Sequence, residues 1–307
     1  MKPFSIFVGC GRSGTTVFGL IFDSHPQLAV AHEGHFVAAL AIQNPRLTKE
    51  SGFDRALFLE GLEANSNFRR LAIPRSDIEK QLQANKVADY ASGVRAVFEV
   101  YARLHGKTLY GDKTPGYVNH LGLLGRLFPE AKFVHVIRDG RDVTLSYLDR
   151  PEWGPRTMAE GAFYWKARVQ RGRKEGALLG PSRYFEARYE SLVEDPEPTV
   201  RGVCGFLGLE YVPEMLRYHE RAVPVESLTK DPQAYESSSA PLTRGLRDWR
   251  TQMSTGNAAL FDVIAGDLLN DLGYNLSGQR IKLGTRLRAG IGLIHWQTRR
   301  LASKFGR

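Results

Sequence analysis

Only two cysteines, Cys10 and Cys204, occur in the 307 residues, too few for a disulfide framework or a zinc site, and their contexts do not suggest pairing. A cytoplasmic location is the expectation. No apolar run reaches the ~18 residues needed to span a bilayer, and the N-terminal run carries one lysine before feeding into a glycine loop, so it cannot be spared as a signal peptide. No low-complexity linker or fixed-period repeat divides the chain, so a single large domain over 1–279 is expected. Acidic residues are missing from the last stretch altogether: Arg280, Lys282, Arg286, Arg288, Arg299, Arg300, Lys304 and Arg307 put eight positive charges into 28 residues, against a formal net charge of +9 for the whole chain. Everything before Arg280 is nearly neutral. With 42% hydrophobic and 24% charged residues, the chain can bury a sizeable core and is not of disordered composition.

What is present is organised around Ile6 to Phe22. An apolar run of strand composition ends at Gly9, five loop residues follow, and an apolar pattern of helical spacing begins at Thr15. Gly9, Gly11 and Gly14 let backbone N–H groups converge, and the helix start adds partial positive charge, so an anion is expected there. Arg12 adds a full charge, and Ser13, Thr15 and Thr16 add hydroxyl donors. The spacing resembles the P-loop of nucleotide-hydrolysing enzymes, but Thr15 stands where the lysine for the β- and γ-phosphates belongs. The alternation of strands and helices implies an α/β chain, a P-loop-like three-layer fold with a central parallel sheet flanked by helices.

Leu28 to Ala31 reads as a short buried strand that delivers His32, Glu33 and His35 to the sheet's carboxyl edge, where ligands bind in open α/β sheets. The three form a candidate acid/base cluster; the plain alternative is that Glu33 caps a helix starting near Gly34. Residues 45–107 are mostly helical in pattern, with capping-box spacing at Ser76 to Glu79, and read as an insertion covering the site. A strand at Thr108 to Gly111 leads to Asp112-Lys113-Thr114-Pro115, where Lys113 either donates to developing charge or is a turn residue in solvent. Gly116 to Phe128 reads as a helix, stopped by Pro129, and Lys132 to Ile137 is the clearest strand, nearly continuously apolar as a central parallel strand should be. It ends in Arg138, with Ser146 eight residues on. Arg141 has a simpler explanation in ion pairs with Asp139 or Asp142 at a helix start. Tyr189 follows a strand at Arg183 to Arg188 and is either a ligand contact or a core tyrosine. A Ser-rich basic loop spans Ser237 to Arg250, with Ser237, Ser238, Ser239, Arg244 and Arg247 as candidates.

The tail, 280–307, places Leu283, Leu287, Ile291, Ile294, Leu301 and Phe305 near helical spacing. It is either a basic amphipathic helix lying on an anionic membrane, at the inner membrane face, or a terminal helix docked on the domain. Nucleic acid is not an expected partner, because no binding module surrounds the basic residues.

Taken in order, the loop at 9–16, Glu33, Asp112-Lys113-Thr114-Pro115, Arg138 with Ser146, the run Tyr189 to Pro196 and a late basic loop resemble the sulfotransferases that use 3′-phosphoadenosine 5′-phosphosulfate. The resemblance covers about residues 4–275 and is closer to the carbohydrate and tyrosylprotein branches than to the cytosolic phenol and steroid branch. It implies a co-substrate seated by Gly11, Arg12, Ser13, Gly14, Thr15 and Thr16 at the phosphosulfate, by Arg138 and Ser146 at the 3′-phosphate, by Tyr189 at the adenine and by Arg244 in the closing loop, with no metal. It also implies transfer to an acceptor hydroxyl or amine, with carbohydrate sulfation expected. The cytosolic branch carries a catalytic histidine in a Lys-Thr-His run, whereas this chain has Lys113-Thr114-Pro115. The resemblance therefore makes Glu33 the base, His35 the reserve, and Lys113 and Arg12 the charge stabilisers. A P-loop kinase and a non-catalytic nucleotide-binding module are the alternatives.

Overall fold

The computed structural model describes residues 3–48, 53–150, 154–221, 240–243 and 247–305. Five strands, β1 (Ser5–Gly9), β2 (Leu28–His32), β3 (Leu109–Lys113), β4 (Lys132–Ile137) and β5 (Tyr184–Arg188), form one parallel sheet in the order β2-β3-β1-β4-β5. All four pairings are parallel, so every strand ends at the same edge. The register sets Phe7 opposite Lys113, His32 opposite Lys113, Gly9 opposite Val136 and Ile137 opposite Arg188. The strand ends that carry candidate residues are thus level with one another.

Alternation along the strands makes the layers. Phe4, Ile6, Val8, Ala29, Ala31 and Phe133 point into one core; Phe7, Leu28, Val30, Val134 and Val136 point into another. Both faces are covered by helices, as a parallel sheet requires. On the second face α1 (Thr15–Asp23) supplies Phe18, Ile21 and Phe22. On the first, α2 (Phe36–Gln43) is followed by α3 (Arg55–Ala64), α4 (Ser66–Arg69), α5 (Arg75–Ala84) and α6 (Tyr90–Leu104). The α6 side chains Val94, Val97 and Phe98 lie in the same core as Phe4 and Ile6, so this part of 45–107 is a layer of the domain itself.

Next come α7 (Leu121–Leu127), α8 (Gly140–Leu148), the long α9 (Met158–Leu179), α10 (Tyr189–Glu194) and α11 (Pro196–Leu207). The short α12 (Trp249–Gln252), α13 (Thr255–Asp271) and α14 (Leu283–Phe305) complete the chain. A third core joins α9 and α13 through Trp165, Phe261, Ile264 and Leu268.

Three sequence expectations shift. The capping box is not at Ser76: α5 starts directly behind Pro74, whose fixed φ already suits a helix entry, and the box stands at α6, where Asp89 and Ser92 bond each other's backbone N–H. Strand β3 runs two residues past Gly111, because Asp112 and Lys113 pair with β1 and β2. The helix expected from Gly116 to Phe128 is a 3-10 turn, Pro115–Asn119, followed by α7.

Candidate functional site

The loop after β1 closes with a hydrogen bond from the Ser13 N–H to the Cys10 carbonyl at 3.2 Å. Gly14, at φ 84°, is the left-handed residue that opens α1. A Cβ there would stand 2.2 Å from the Tyr189 ring, and one on Gly11 would stand 2.3 Å from the Tyr147 hydroxyl oxygen. Two tyrosines therefore press on this loop, and only glycine fits beneath them. Ser13 Oγ is buried with no hydrogen-bond partner among the described residues, and the first-turn N–H groups of α1 lack helical partners by construction. Thr15 is buried in that turn, with Thr16 beside it. Burial pushes the Cys10 thiol up to about 12, so it offers no thiolate.

Arg12 leaves the loop in a left-handed conformation, φ 68°, and its Nε donates to Ser146 Oγ in α8 at 3.0 Å. Two elements 134 residues apart are joined side chain to side chain. Between them Arg138 lies over the Tyr189 ring, its guanidinium carbon 4.5 Å from the centroid. Its Nε is buried without a partner. The turn is pinned from behind: Trp165 Nε1 donates to the Arg138 carbonyl at 3.0 Å, and the Asp139 N–H donates to Glu190 at 2.8 Å. Arg141 is committed elsewhere. It is buried, paired with Asp139 at 2.7 Å and Asp262 at 3.8 Å, and stacked on Trp249 at 3.6 Å, so it holds α8 rather than facing a ligand.

At the ends of β2 and β3, Lys113 Nζ meets Glu33 Oε1 at 3.0 Å and donates to Thr16 Oγ1 at 3.4 Å. The lysine is wholly buried and the Glu33 side chain is 25% exposed, which leaves the carboxylate the side open to solvent. Burial alone would raise the Glu33 pKa, but Lys113 first, then His35 and Arg70, outweigh it and hold the group below the usual carboxylate range. Glu33 stays ionised at neutral pH. It caps no helix: α2 begins behind His35, which makes no side-chain cap.

The three-residue cluster separates. His35, at φ 52°, turns its ring edge-on to Tyr117, 6.4 Å between centroids. His32 points inward, with both ring nitrogens unpartnered among the described residues, and burial drives its pKa well below 6.5. Asp112 lies beneath Gly34, its Oδ2 3.0 Å from where a Cβ would sit, and burial raises its carboxyl to about 7. One residue was not foreseen. Arg70, just past α4, donates to the Glu33 carbonyl at 3.4 Å, while its Nε and Nη1 are buried without partners. Only the fold of the helical region brings it there.

Ser237, Ser238, Ser239 and Arg244 lie outside the described residues. Arg247 pairs with Asp149 just past α8. Behind the loop, a cavity of about 440 Å³ between α9 and α14 is lined by Tyr164, Arg168, Arg171, Trp296 and Arg299. The Tyr164 hydroxyl lies 3.5 Å from that of Tyr147, so one tyrosine pair separates the cavity from Gly11.

Such a site can hold two anionic groups on one molecule and remove a proton beside one of them. The orphaned Ser13 and Arg138 donors, and the glycine cradle under Tyr189, fit a nucleotide carrying both a 5′-phosphosulfate and a ribose phosphate. Comparison with known proteins points the same way. The model of the sulfotransferase family matches residues 3–213. A putative protein-tyrosine sulfotransferase of Caenorhabditis briggsae is 25% identical over 283 residues, 90% of this chain and 90% of that protein. An omega-hydroxy-beta-dihydromenaquinone-9 sulfotransferase of Mycobacterium bovis is 27% identical over 218 residues, 64% of this chain and 48% of that protein. The chain spans about half the length of several of the curated relatives it matches. Among solved structures, the sulfotransferase domain from the curacin biosynthetic pathway superposes with a TM-score of 0.63 at 18% identity, covering 90% of this chain and 99% of that one; this likeness speaks for the fold.

Proposed function

The chain belongs to the sulfotransferase family, and from that membership we propose that it moves a sulfuryl group from 3′-phosphoadenosine 5′-phosphosulfate to an acceptor hydroxyl, or an amine, on a carbohydrate or glycolipid. The observation that supports the donor assignment is the Arg12–Ser146 hydrogen bond, which sets the two candidate anion seats side by side. The donor, when bound, supplies an activated sulfuryl group whose leaving group is a stable phosphate.

The residues do the rest. Glu33, ionised and partly open, accepts the acceptor's proton as its oxygen bonds to sulfur. Lys113, held between Glu33 and Thr16, donates to charge that builds on the sulfuryl and leaving oxygens. Arg12, the hydroxyls of Ser13 and Thr16 and the loop N–H groups share that task, which is electrostatic and fixed before the reaction, as in phosphoryl transfer. Arg138 and Tyr189 hold the nucleoside end. What supports a hydroxyl acceptor is Glu33 itself, an ionised and partly open carboxylate beside Lys113.

The test uses labelled donor and a panel of sugars, glycolipids, tyrosine peptides and lipid alcohols. Glu33→Gln is expected to lower turnover by about 10²–10⁴-fold, while adenosine 3′,5′-bisphosphate still raises the melting temperature as it does for the wild type. Full activity in that variant removes Glu33 from the chemistry. Thermal protection by ATP with magnesium and none by the bisphosphate removes the donor assignment.

A further inference from the structure

Helix α14 has two apolar faces, and the fold uses one. Toward the domain, Ala289 and Gly292 are buried, Gly292 so close to Ala159 that a Cβ would stand 2.4 Å from its neighbour's. Trp296 stacks on Phe163 at 5.7 Å, Arg299 pairs with Glu160 at 2.7 Å, and Arg288 bonds Asn257 at 3.2 Å. Half a helical turn away, Leu283, Leu287, Ile291, Ile294 and Leu301 stand at intervals of four, four, three and seven, which puts them on a single stripe. They are 54–74% exposed, and at 1.5 Å per residue the stripe runs about 27 Å. Lys282 and Arg286 flank it, exposed, and neither pairs with a carboxylate among the described residues.

We propose that this outer face of α14 seats the protein on an anionic lipid surface, with the aliphatic stripe in the headgroup boundary and the flanking cations on lipid phosphates. The charge decides the occupant. Residues 280–307 hold eight cations and no acid, so a second copy laid against the stripe brings cations against cations, whereas an anionic bilayer takes up both the apolar face and the charge. The helix lies on the bilayer and does not enter it: among the described residues, no helix is long and apolar enough to cross a membrane. The domain-side contacts explain why removal of the whole tail is a poor test, since it would also strip α9 of Trp296 and Arg299.

The experiment needs neither donor nor acceptor, so its failure and that of the transfer reading are separable. Full-length protein is sedimented with phosphatidylcholine vesicles, with and without phosphatidylglycerol. Binding is expected only with the anionic lipid, and the double variant Leu287→Glu, Ile291→Glu is expected to bind at least about tenfold more weakly. The variant's melting temperature and its protection by adenosine 3′,5′-bisphosphate should match the wild type, because both side chains are on the outer stripe, 62% and 60% exposed. The pair Lys282→Ala, Arg286→Ala is expected to weaken anionic binding and to reduce its dependence on salt. Equal affinity of wild type and double variant overturns the proposal, as does a wild-type dimer that the double variant splits.

Discussion

Arg12 is the residue that ties the glycine loop to α8. It reaches from a loop after the central strand to a hydroxyl on a helix that follows the neighbouring strand, and it carries the only full charge in the loop. Under the proposed function, replacing it with alanine removes a donor to developing charge, with an expected loss of ~3 kcal/mol or roughly a hundredfold in rate. Single-turnover transfer from labelled donor measures this, and a loss below about threefold would show that the guanidinium serves only to tie the loop to Ser146. Glu33, Lys113, Arg138 and Ser146 could be named from the sequence because each stands beside a strand end or one helical stretch from it. Arg70 could not: it sits in a helical region with no chemical pattern of its own, and its approach to Glu33 exists only once α3 to α6 have packed. Arg141 was legible in the opposite sense, since a guanidinium two residues from an aspartate at a helix start has a structural partner at hand.

At the scale of elements, the strand–loop–helix unit at 5–23 opens α1 on a left-handed glycine, with the Tyr189 ring pressed against it. Gly14→Ala meets two obstacles: a left-handed φ that costs about 1–2 kcal/mol in a residue with a Cβ, and a ring that stands in the space of the new atom. Weaker binding of adenosine 3′,5′-bisphosphate and a lower melting temperature are expected. If the ring causes part of the loss, Gly14→Ala with Tyr189→Ala will lose less than the sum of the single variants; calorimetric affinities that simply add would show no pressure of ring on loop. Elements with one dominant signal were readable, β4 by its apolar run and α1 by its glycine loop. The end of β3 was not, because Asp112 and Lys113 look like a turn until β1 and β2 pair with them on either side. The helix expected from Gly116 to Phe128 is present only from Leu121: Pro115 and the bonds at Thr114 and Tyr117 hold a tighter turn before α7 begins.

For the whole molecule, the buried titratable groups set a stability profile with two limbs. His32 and His135 are held neutral by burial, His32 well below 6.5 and His135 at about 3. The unfolded chain takes up protons below about 6.5 while the native one does not, so their contribution is complete above that value and is lost as pH falls toward 3. Asp112 works in the other direction. Its carboxyl rises from 3.8 to about 7, the native state keeps a proton that the unfolded chain has released, and the contribution is lost as pH climbs from 3.8 to 7. Urea midpoints measured across this range should therefore rise more steeply with pH in Asp112→Asn than in the wild type, and less steeply in His135→Asn. Identical slopes in all three proteins would mean that these groups titrate in the folded state as they do in the unfolded chain. Parallel pairing and the two-sided cores were foreseeable from composition and alternation, whereas the depth at which these three groups lie was not.

Among the described residues, five other than glycine have positive φ, and three of them are Arg12, Glu33 and His35. Each occupies a backbone geometry that glycine would accept without penalty. The chain therefore keeps ionisable side chains where a more relaxed polymer would have none, and relief of the backbone is not free. A glycine in place of Glu33 would leave the buried Lys113 ammonium without its carboxylate, so that variant would melt at a lower temperature than the wild type.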